Sequence, residues 1–436
     1  MASKKSKSMF PHNRSDDAKG ARVVIVGSGQ AGIQAADSLR ARGHIGTLTV
    51  IGDEPVLPYQ RPPLSKGHLT SGGSIDPLPL RAERFFTEQR IVLRTGVSAA
   101  SVDRTARTVR LDDGDVLPYD SLILATGAAN RSLDITGSEL AGIHTLRTLA
   151  DADALRRELH EARNVLVVGA GFVGLEVAAA ARAQGANVTV LEATDRPLSR
   201  AVSRYTSDHV TAVHRQAGTH VHTEEVVSFF TGREGRVVGA ETETGEHYEA
   251  DLVIVGIGAI PRTALAAAAD LPVANGIVVD DFLRTNDPAV YAIGDCANYP
   301  SLHTGTRVRL ESVQNATDHG RRVAAVILGD DRCDAEVPWF WSHQGALKLQ
   351  IAGVRLPDDT AVLCGDPTTG RFSVCCYRNG RLAAVESINR PADHIAARAL
   401  LASARSPDPI LLDDPTFNLK RFAAQPDSAP SRKTSA

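Results

Sequence analysis

At 436 residues the chain is longer than one hydrophobic core ordinarily organises, so two or three domains are expected. An apolar content of 43% with 23% charged residues excludes wholesale disorder, and no run reaches the roughly 18 apolar residues of a membrane-spanning helix. A net charge of −3, with no long Lys/Arg run in the body of the chain, gives no general attraction to nucleic acid.

The first twenty residues are basic and polar but lack the apolar segment of a secretory signal, and they read as a disordered tail. Residues 22–26 form a β-branched run ending at a glycine, followed by an alanine-rich helical stretch and a second strand, TLTVIGD, which together predict a βαβ unit. The same order recurs at 164–192, where NVLVV, a helix opening on small residues and NVTVLE repeat the pattern. SLILATG (121–127), DLVIVGIG (251–258) and VYAIGDCA (290–297) read as further strands, each closing on glycine. The second βαβ unit therefore interrupts the first, which predicts a discontinuous domain over 21–130 and 250–325 around a domain at 131–249.

From about residue 330 the pattern changes to short strands with hairpin turns such as Arg378-Asn379-Gly380. A closing amphipathic helix follows near 391–404. This is expected to be a C-terminal α+β domain over 330–422, ahead of a second disordered tail at 423–436. The fold class expected is α/β, with two Rossmann-like dinucleotide-binding domains and this third unit.

In the first fingerprint, Gly27-x-Gly29-x-x-Gly32 lets the chain turn sharply, admits a pyrophosphate to the backbone and packs the helix on the strand. The helix N-terminus then offers N–H groups and a partial positive charge to the phosphates. Asp53 and Glu54 follow the next strand, where a carboxylate accepts hydrogen bonds from ribose hydroxyls. Gly169, Gly171, Gly174 and Glu192 repeat the arrangement. Two fingerprints in the right context imply two dinucleotides, one held and one exchanging. A carboxylate at Glu192 would repel a 2′-phosphate, which favours NADH over NADPH, although Arg196 nearby could serve that phosphate.

Six stretches in order, PYQRPPLSK (58–66), LILATG (122–127), GFVGLEVAA (171–179), YAIGDCA (291–297), ESVQNA (311–316) and VPWFWSHQ (337–344), resemble the single-chain, FAD-containing ferredoxin reductases that serve bacterial oxygenases, the putidaredoxin reductase and rhodocoxin reductase family, relatives of apoptosis-inducing factor. The resemblance runs from about Ala21 to Phe422. It implies FAD contacts at Ala31, Asp53, Arg61, Lys66, Ala99, Arg147, Asp295 and Val313, and Trp341 beside the flavin. It also implies an NAD site at Gly169 to Gly174 and Glu192, with Gly258 at the nicotinamide approach. Lys66 and Arg61 could place positive charge near flavin or pyrophosphate, and the plainer reading of both is a solvated surface loop. Trp339 and Trp341 share a strand face by period-two spacing, with core packing as the plainer reading.

Two positions depart from the family pattern: Asn130 stands where proline is usual, expected to alter only a turn, and His343 stands where aspartate is usual, next to the flavin-proximal Trp341.

The five cysteines are odd in number and lack C-x-x-C spacing, so neither a disulfide framework nor a zinc ribbon is indicated, and the cytosol is the expected compartment. None precedes Cys296, so electrons cannot leave through a dithiol in the first domain, and adjacent Cys375 and Cys376 are expected on opposite strand faces. His220 and His222 read as an exposed pair rather than metal ligands, and no iron–sulfur spacing occurs. The expected chemistry is hydride transfer from NADH to FAD and then single-electron transfer to a two-iron two-sulfur ferredoxin serving an oxygenase. Arg307 and Arg309 are candidates to dock that acidic partner, with a solvated loop as the equal alternative. Two other readings stay open: an NADH oxidase-type flavoprotein, and a redox-responsive interaction protein resembling apoptosis-inducing factor.

Overall fold

The computed structural model describes residues 18–70, 78–330 and 336–425, so most of both expected tails, and Cys333, lie outside the described residues. Residues 18–20 are helical and Lys19 O accepts N–H bonds from Ile45 and Gly46, so the ordered chain begins before residue 21.

The first unit is built on a five-stranded parallel sheet in the order Val290–Ala292, Ser121–Leu124, Val23–Val26, Leu48–Gly52, Ile91–Thr95. Strands such as VVIV are buried along their whole length, in a core shared with the Gln30–Ala41 helix and with Val109 and Leu111 of an antiparallel ribbon. Gln30–Ala41 and Val313–Ile327 pack closely on each other, where an ideal Cβ on Gly320 would fall 2.9 Å from Ala31 O.

The second unit repeats this plan in the order Thr219–Thr223, Asn187–Glu192, Asn164–Val168, Leu252–Val255, Ile143–His144, again parallel. Leu252–Val255 was expected in the first unit and belongs to the second, paired with Asn164–Val168. A four-residue apolar run carries no face information, so its sheet is decided only by which strand it meets. Each unit also carries a three-stranded antiparallel ribbon, from Ala99–Asp103 in the first and from Val227–Arg233 in the second.

The chain crosses between the two units at Ala128–Asn130 and returns at Ala259–Pro261, and these segments pair antiparallel. Asn130 therefore sits in a strand opposite Ala259, not in a turn.

The third unit is an antiparallel sheet in the order Trp339–Gln344, Leu347–Gly353, Arg381–Ile388, Phe372–Arg378, Thr360–Cys364, covered by Pro391–Ala402. Asn379 and Gly380 both have positive φ, 50° and 74°, as a two-residue hairpin of type I′ requires. Cys375 packs under the covering helix while Cys376 faces the core shared with the second unit, so the two thiols lie on opposite faces of the sheet. No helix among the described residues is long and apolar enough to cross a membrane.

Candidate functional site

A cleft of about 350 Å³ runs from the first glycine loop to the strand carrying Trp341, bounded by all three units. At its floor Gly27 turns with φ +118°, and a Cβ there would fall 2.0 Å from Ala125 O, so only glycine lets the two strand ends meet. Gly29 caps the Gln30–Ala41 helix with no side-chain partner, which leaves the first-turn N–H groups facing the cleft. Ala31 lines the cleft in that turn, and Gly32 stands behind it against Gly27 O.

The two acids after the second strand differ in availability. Glu54 is committed: Oε1 accepts from Arg61 Nη2 at 2.6 Å and Oε2 from the Tyr59 hydroxyl at 2.5 Å. Asp53 keeps a half-exposed carboxylate that, among the described residues, meets Arg262 Nη1 at 2.7 Å. Asp53 is thus the better ribose acceptor. Arg61 is no solvated surface residue; it also donates to Arg147 O at 2.6 Å, and both line the cleft.

Lys66 lines the opposite wall, its Nζ 2.7 Å from Glu176 Oε2. Glu176 lies on the second unit's Phe172–Ala183 helix with its side chain 5% exposed. Its carboxylate also accepts from the hydroxyls of Ser65 and Ser342. Two hydroxyls and an ammonium compensate the burial of this charge. Phe340 and Trp341 close this end, Phe340 with its ring 4.5 Å from that of Phe172. Arg147 Nη2 donates to Asp295 Oδ2 at 2.8 Å, and the Val313–Ile327 helix brings Ser312 and Val313 to the same wall. Behind Asp295, the buried His319 accepts the Gly294 N–H on Nδ1 at 3.1 Å, and burial pushes its pKa down to about 3, so the ring is neutral.

The second glycine loop lies beyond the cleft. A Cβ on Gly174 would fall 2.2 Å from Gly169 O, which seats the helix against its strand, and Gly171 is the N-cap. Glu192 Oε2 accepts the Ala170 N–H at 2.7 Å and Oε1 takes both donors of Thr194, fixing the carboxylate at the loop. Arg196 is spent on the backbone carbonyls of Val202 and Ser199. Gly258 faces Arg200, whose Nη2 would lie 3.6 Å from a Cβ there. Phe172, Val173 and Glu176 on the following helix reach the first cleft, so one helix serves both sites.

Several expected residues are not brought together. Ala99 starts the antiparallel ribbon, packed against the first core and outside the cleft lining. Arg307, though exposed, is held by bonds to Val279 O and Asn298 O, and Arg309 pairs with Glu311 at 2.5 Å with a side chain 10% exposed. His343 is exposed, one step beyond Trp341 on the same strand face, and its pKa is lowered by partial burial and then by Lys66 and Lys348. His220 and His222 are exposed, and no cluster of metal-ligating groups occurs among the described residues. Cys296, Cys364, Cys375 and Cys376 are all buried, none lines the cleft, and burial raises their thiol pKa values. Sequence reasoning missed Glu176, Arg262 and Tyr59. Glu176 alone carried a signal, being the single acid inside the apolar run FVGLEVAAAARA.

Two duplicated dinucleotide folds with a cleft between them and a third unit closing one end define a two-nucleotide reductase. The chain belongs to the pyridine nucleotide-disulphide oxidoreductase family, whose model matches residues 21–320, and a reductase C-terminal domain matches 339–423. It is 47% identical to rhodocoxin reductase of Rhodococcus erythropolis over 92% of this chain and 94% of that one. Its fold is similar to that of the ferredoxin reductase for the CYP199A2 system from Rhodopseudomonas palustris, with a TM-score of 0.90, 43% identity, and coverage of 92% of this chain and 100% of that one. It is likewise similar to the reductase in a covalent putidaredoxin reductase–putidaredoxin complex, with a TM-score of 0.90, 36% identity, and coverage of 93% of this chain and 98% of that one. Family membership implies FAD and NAD(P)H, and the cleft fits FAD: a side-chain-free cradle and an open helix N-terminus suit the pyrophosphate, and Asp53 suits a ribose.

Proposed function

We propose that the chain is an NADH-dependent ferredoxin reductase, passing electrons from NADH through FAD to a two-iron two-sulfur ferredoxin that serves an oxygenase. The observation that carries this reading is a cleft walled by Lys66, Glu176 and Trp341 with no described cysteine on it. Bound FAD would take up a hydride and release its electrons singly. Lys66 supplies positive charge at the wall, and Glu176 holds that ammonium in place. Arg147 and Asp295 orient polar groups at the far end, and Phe340 with Trp341 exclude water. Glu192 favours NADH by opposing a 2′-phosphate.

Trp341 also points the way out. The Trp339 ring lies 5.4 Å from it, Arg398 stacks over Trp339 at 5.0 Å, and Arg321 on the neighbouring Val313–Ile327 helix has a side chain 61% exposed. This aromatic and basic face, rather than Arg307 and Arg309, suits an acidic ferredoxin. The names of the relatives, a rhodocoxin reductase and a reductase captured with putidaredoxin, support the same class of partner. The test is NADH-dependent reduction of a panel of ferredoxins by the FAD-loaded protein, read by cytochrome c. Reduction of at least one two-iron ferredoxin well above the rate with oxygen alone is expected; oxygen as the sole acceptor would return the reading to an oxidase.

A further inference from the structure

The Glu176 carboxylate is the end of a longer hydrogen-bond chain that crosses all three units. Ser342 Oγ lies 2.6 Å from Glu176 Oε1, Gln344 Nε2 lies 2.8 Å from Ser342 Oγ, and Gln344 Oε1 lies 3.1 Å from His214 Nε2. All four side chains are buried. Donor inventory fixes the direction of each bond. A carboxylate only accepts, so the single Ser342 hydroxyl proton goes to Glu176 and a Ser342 lone pair takes the Gln344 amide. The other amide proton is directed at Phe172 O. That leaves Gln344 Oε1 as the acceptor for His214, whose Nε2 must carry hydrogen; burial lowers the pKa of this imidazole, so one proton on Nε2 leaves the ring neutral. Every donor in the chain therefore points toward Glu176.

Strand alternation explains why one short segment does this. In Trp339–Gln344, Ser342 and Gln344 face the Phe172–Ala183 helix, while Trp339, Trp341 and His343 occupy the other face. We propose that Ser342 and Gln344 are positioning residues for flavin reduction, holding the Glu176 carboxylate, and through it the Lys66 ammonium, at the wall of the cleft. Oε2 of Glu176 is shared between Ser65 and Lys66, so Ser342 supplies the bond to Oε1. Without it the buried carboxylate loses a donor that fixes its position, and the Lys66 ammonium it anchors is less firmly held at the cleft wall. The titratable groups acting on Glu176 are Lys66 and, beyond it, His343, which in turn feels Lys348.

This inference rests on the reading of the cleft as a flavin site, and the experiment separates the two. FAD-loaded parent, Ser342→Ala, Ser342→Thr, Gln344→Met and Lys66→Met proteins are compared by stopped-flow flavin reduction with NADH from pH 6 to 9 and by spectroelectrochemical midpoint potential. Ser342→Ala is expected to slow the limiting reduction rate about tenfold, with the NADH dissociation constant within about twofold and a more negative midpoint. Ser342→Thr keeps the hydroxyl and restores the parent rate and potential; Gln344→Met gives a smaller change in the same direction. Parent-like reduction rate and midpoint potential in both Ser342→Ala and Gln344→Met would overturn the proposal, and would do so alone if Lys66→Met shifts both. An unshifted Lys66→Met protein would overturn the flavin-facing role of Lys66 as well.

Discussion

Arg147 Nη2 and Asp295 Oδ2 meet at 2.8 Å across the cleft wall, joining the segment before Leu149–Leu159 to the turn after Val290–Ala292. The pair is partly buried, and Arg147 O also accepts from Arg61. Asp295→Ala strands the guanidinium and removes a polar partner from the cleft. FAD affinity is expected to fall about 10- to 100-fold, corresponding to roughly 1–3 kcal/mol. Flavin fluorescence on dilution or dialysis of the purified protein measures it.

Coenzyme choice turns on Glu192. Its carboxylate is fixed by Ala170 and Thr194, and Arg196 is tied to the backbone carbonyls of Val202 and Ser199 instead of turning toward it. The ratio of kcat/KM for NADH to that for NADPH is expected to be about 100 or more, and Glu192→Gln to narrow it roughly tenfold. A parent protein that prefers NADPH would refute the assignment.

Partner docking is expected on the Trp339 face. Arg321→Glu combined with Arg398→Glu should slow ferredoxin reduction steeply, with an effect that weakens as salt rises, while ferricyanide reduction stays near parent levels. Equal loss with both acceptors would argue against docking. Arg307→Ala, by contrast, removes donors from Val279 O and Asn298 O and is expected to lower the thermal midpoint without selective loss of ferredoxin turnover.

Acid stability follows from His319. The unfolded chain takes up a proton at this residue near pH 6.5, the folded protein only near pH 3. Between those values the unfolded state binds more protons, so stability is full above pH 6.5 and declines as pH falls toward 3, at up to about 1.4 kcal/mol per unit. The buried His394, lowered to about 4, adds to the same limb. Denaturant midpoints from pH 7.5 to 4.5 test this, and His319→Gln, which keeps a side-chain acceptor, should flatten the decline.

Local grammar explains what the sequence disclosed. Both glycine fingerprints are strand–turn–helix units whose residues lie within one turn of each other, so spacing alone placed them, as it placed the Asn379-Gly380 hairpin and the opposed Cys375 and Cys376. What stayed hidden depends on distant parts of the chain. Nothing in PPLSK indicates that Lys66 meets an acid 110 residues on, and nothing near Glu54 says that Arg61 and Tyr59 consume its oxygens and leave Asp53 open. Arg307 and Arg309 look solvated in sequence because backbone carbonyls, which every residue has, are what bind them. The apolar run at Leu252–Val255 was recognisable as a strand, but its neighbour was not.

The paired segments Ala128–Asn130 and Ala259–Pro261, extended by the Arg131 N to Gly258 O bond, make one doorway through which the chain leaves and re-enters the flavin-side unit. A module hung on a single doorway is transplantable: the coenzyme half of a relative with the opposite nucleotide preference can be spliced in at those two points while the flavin half stays intact. The graft must carry an acid matching Glu176 that reaches Lys66 and Ser342, because that contact ties the charge at the cleft wall to the borrowed half.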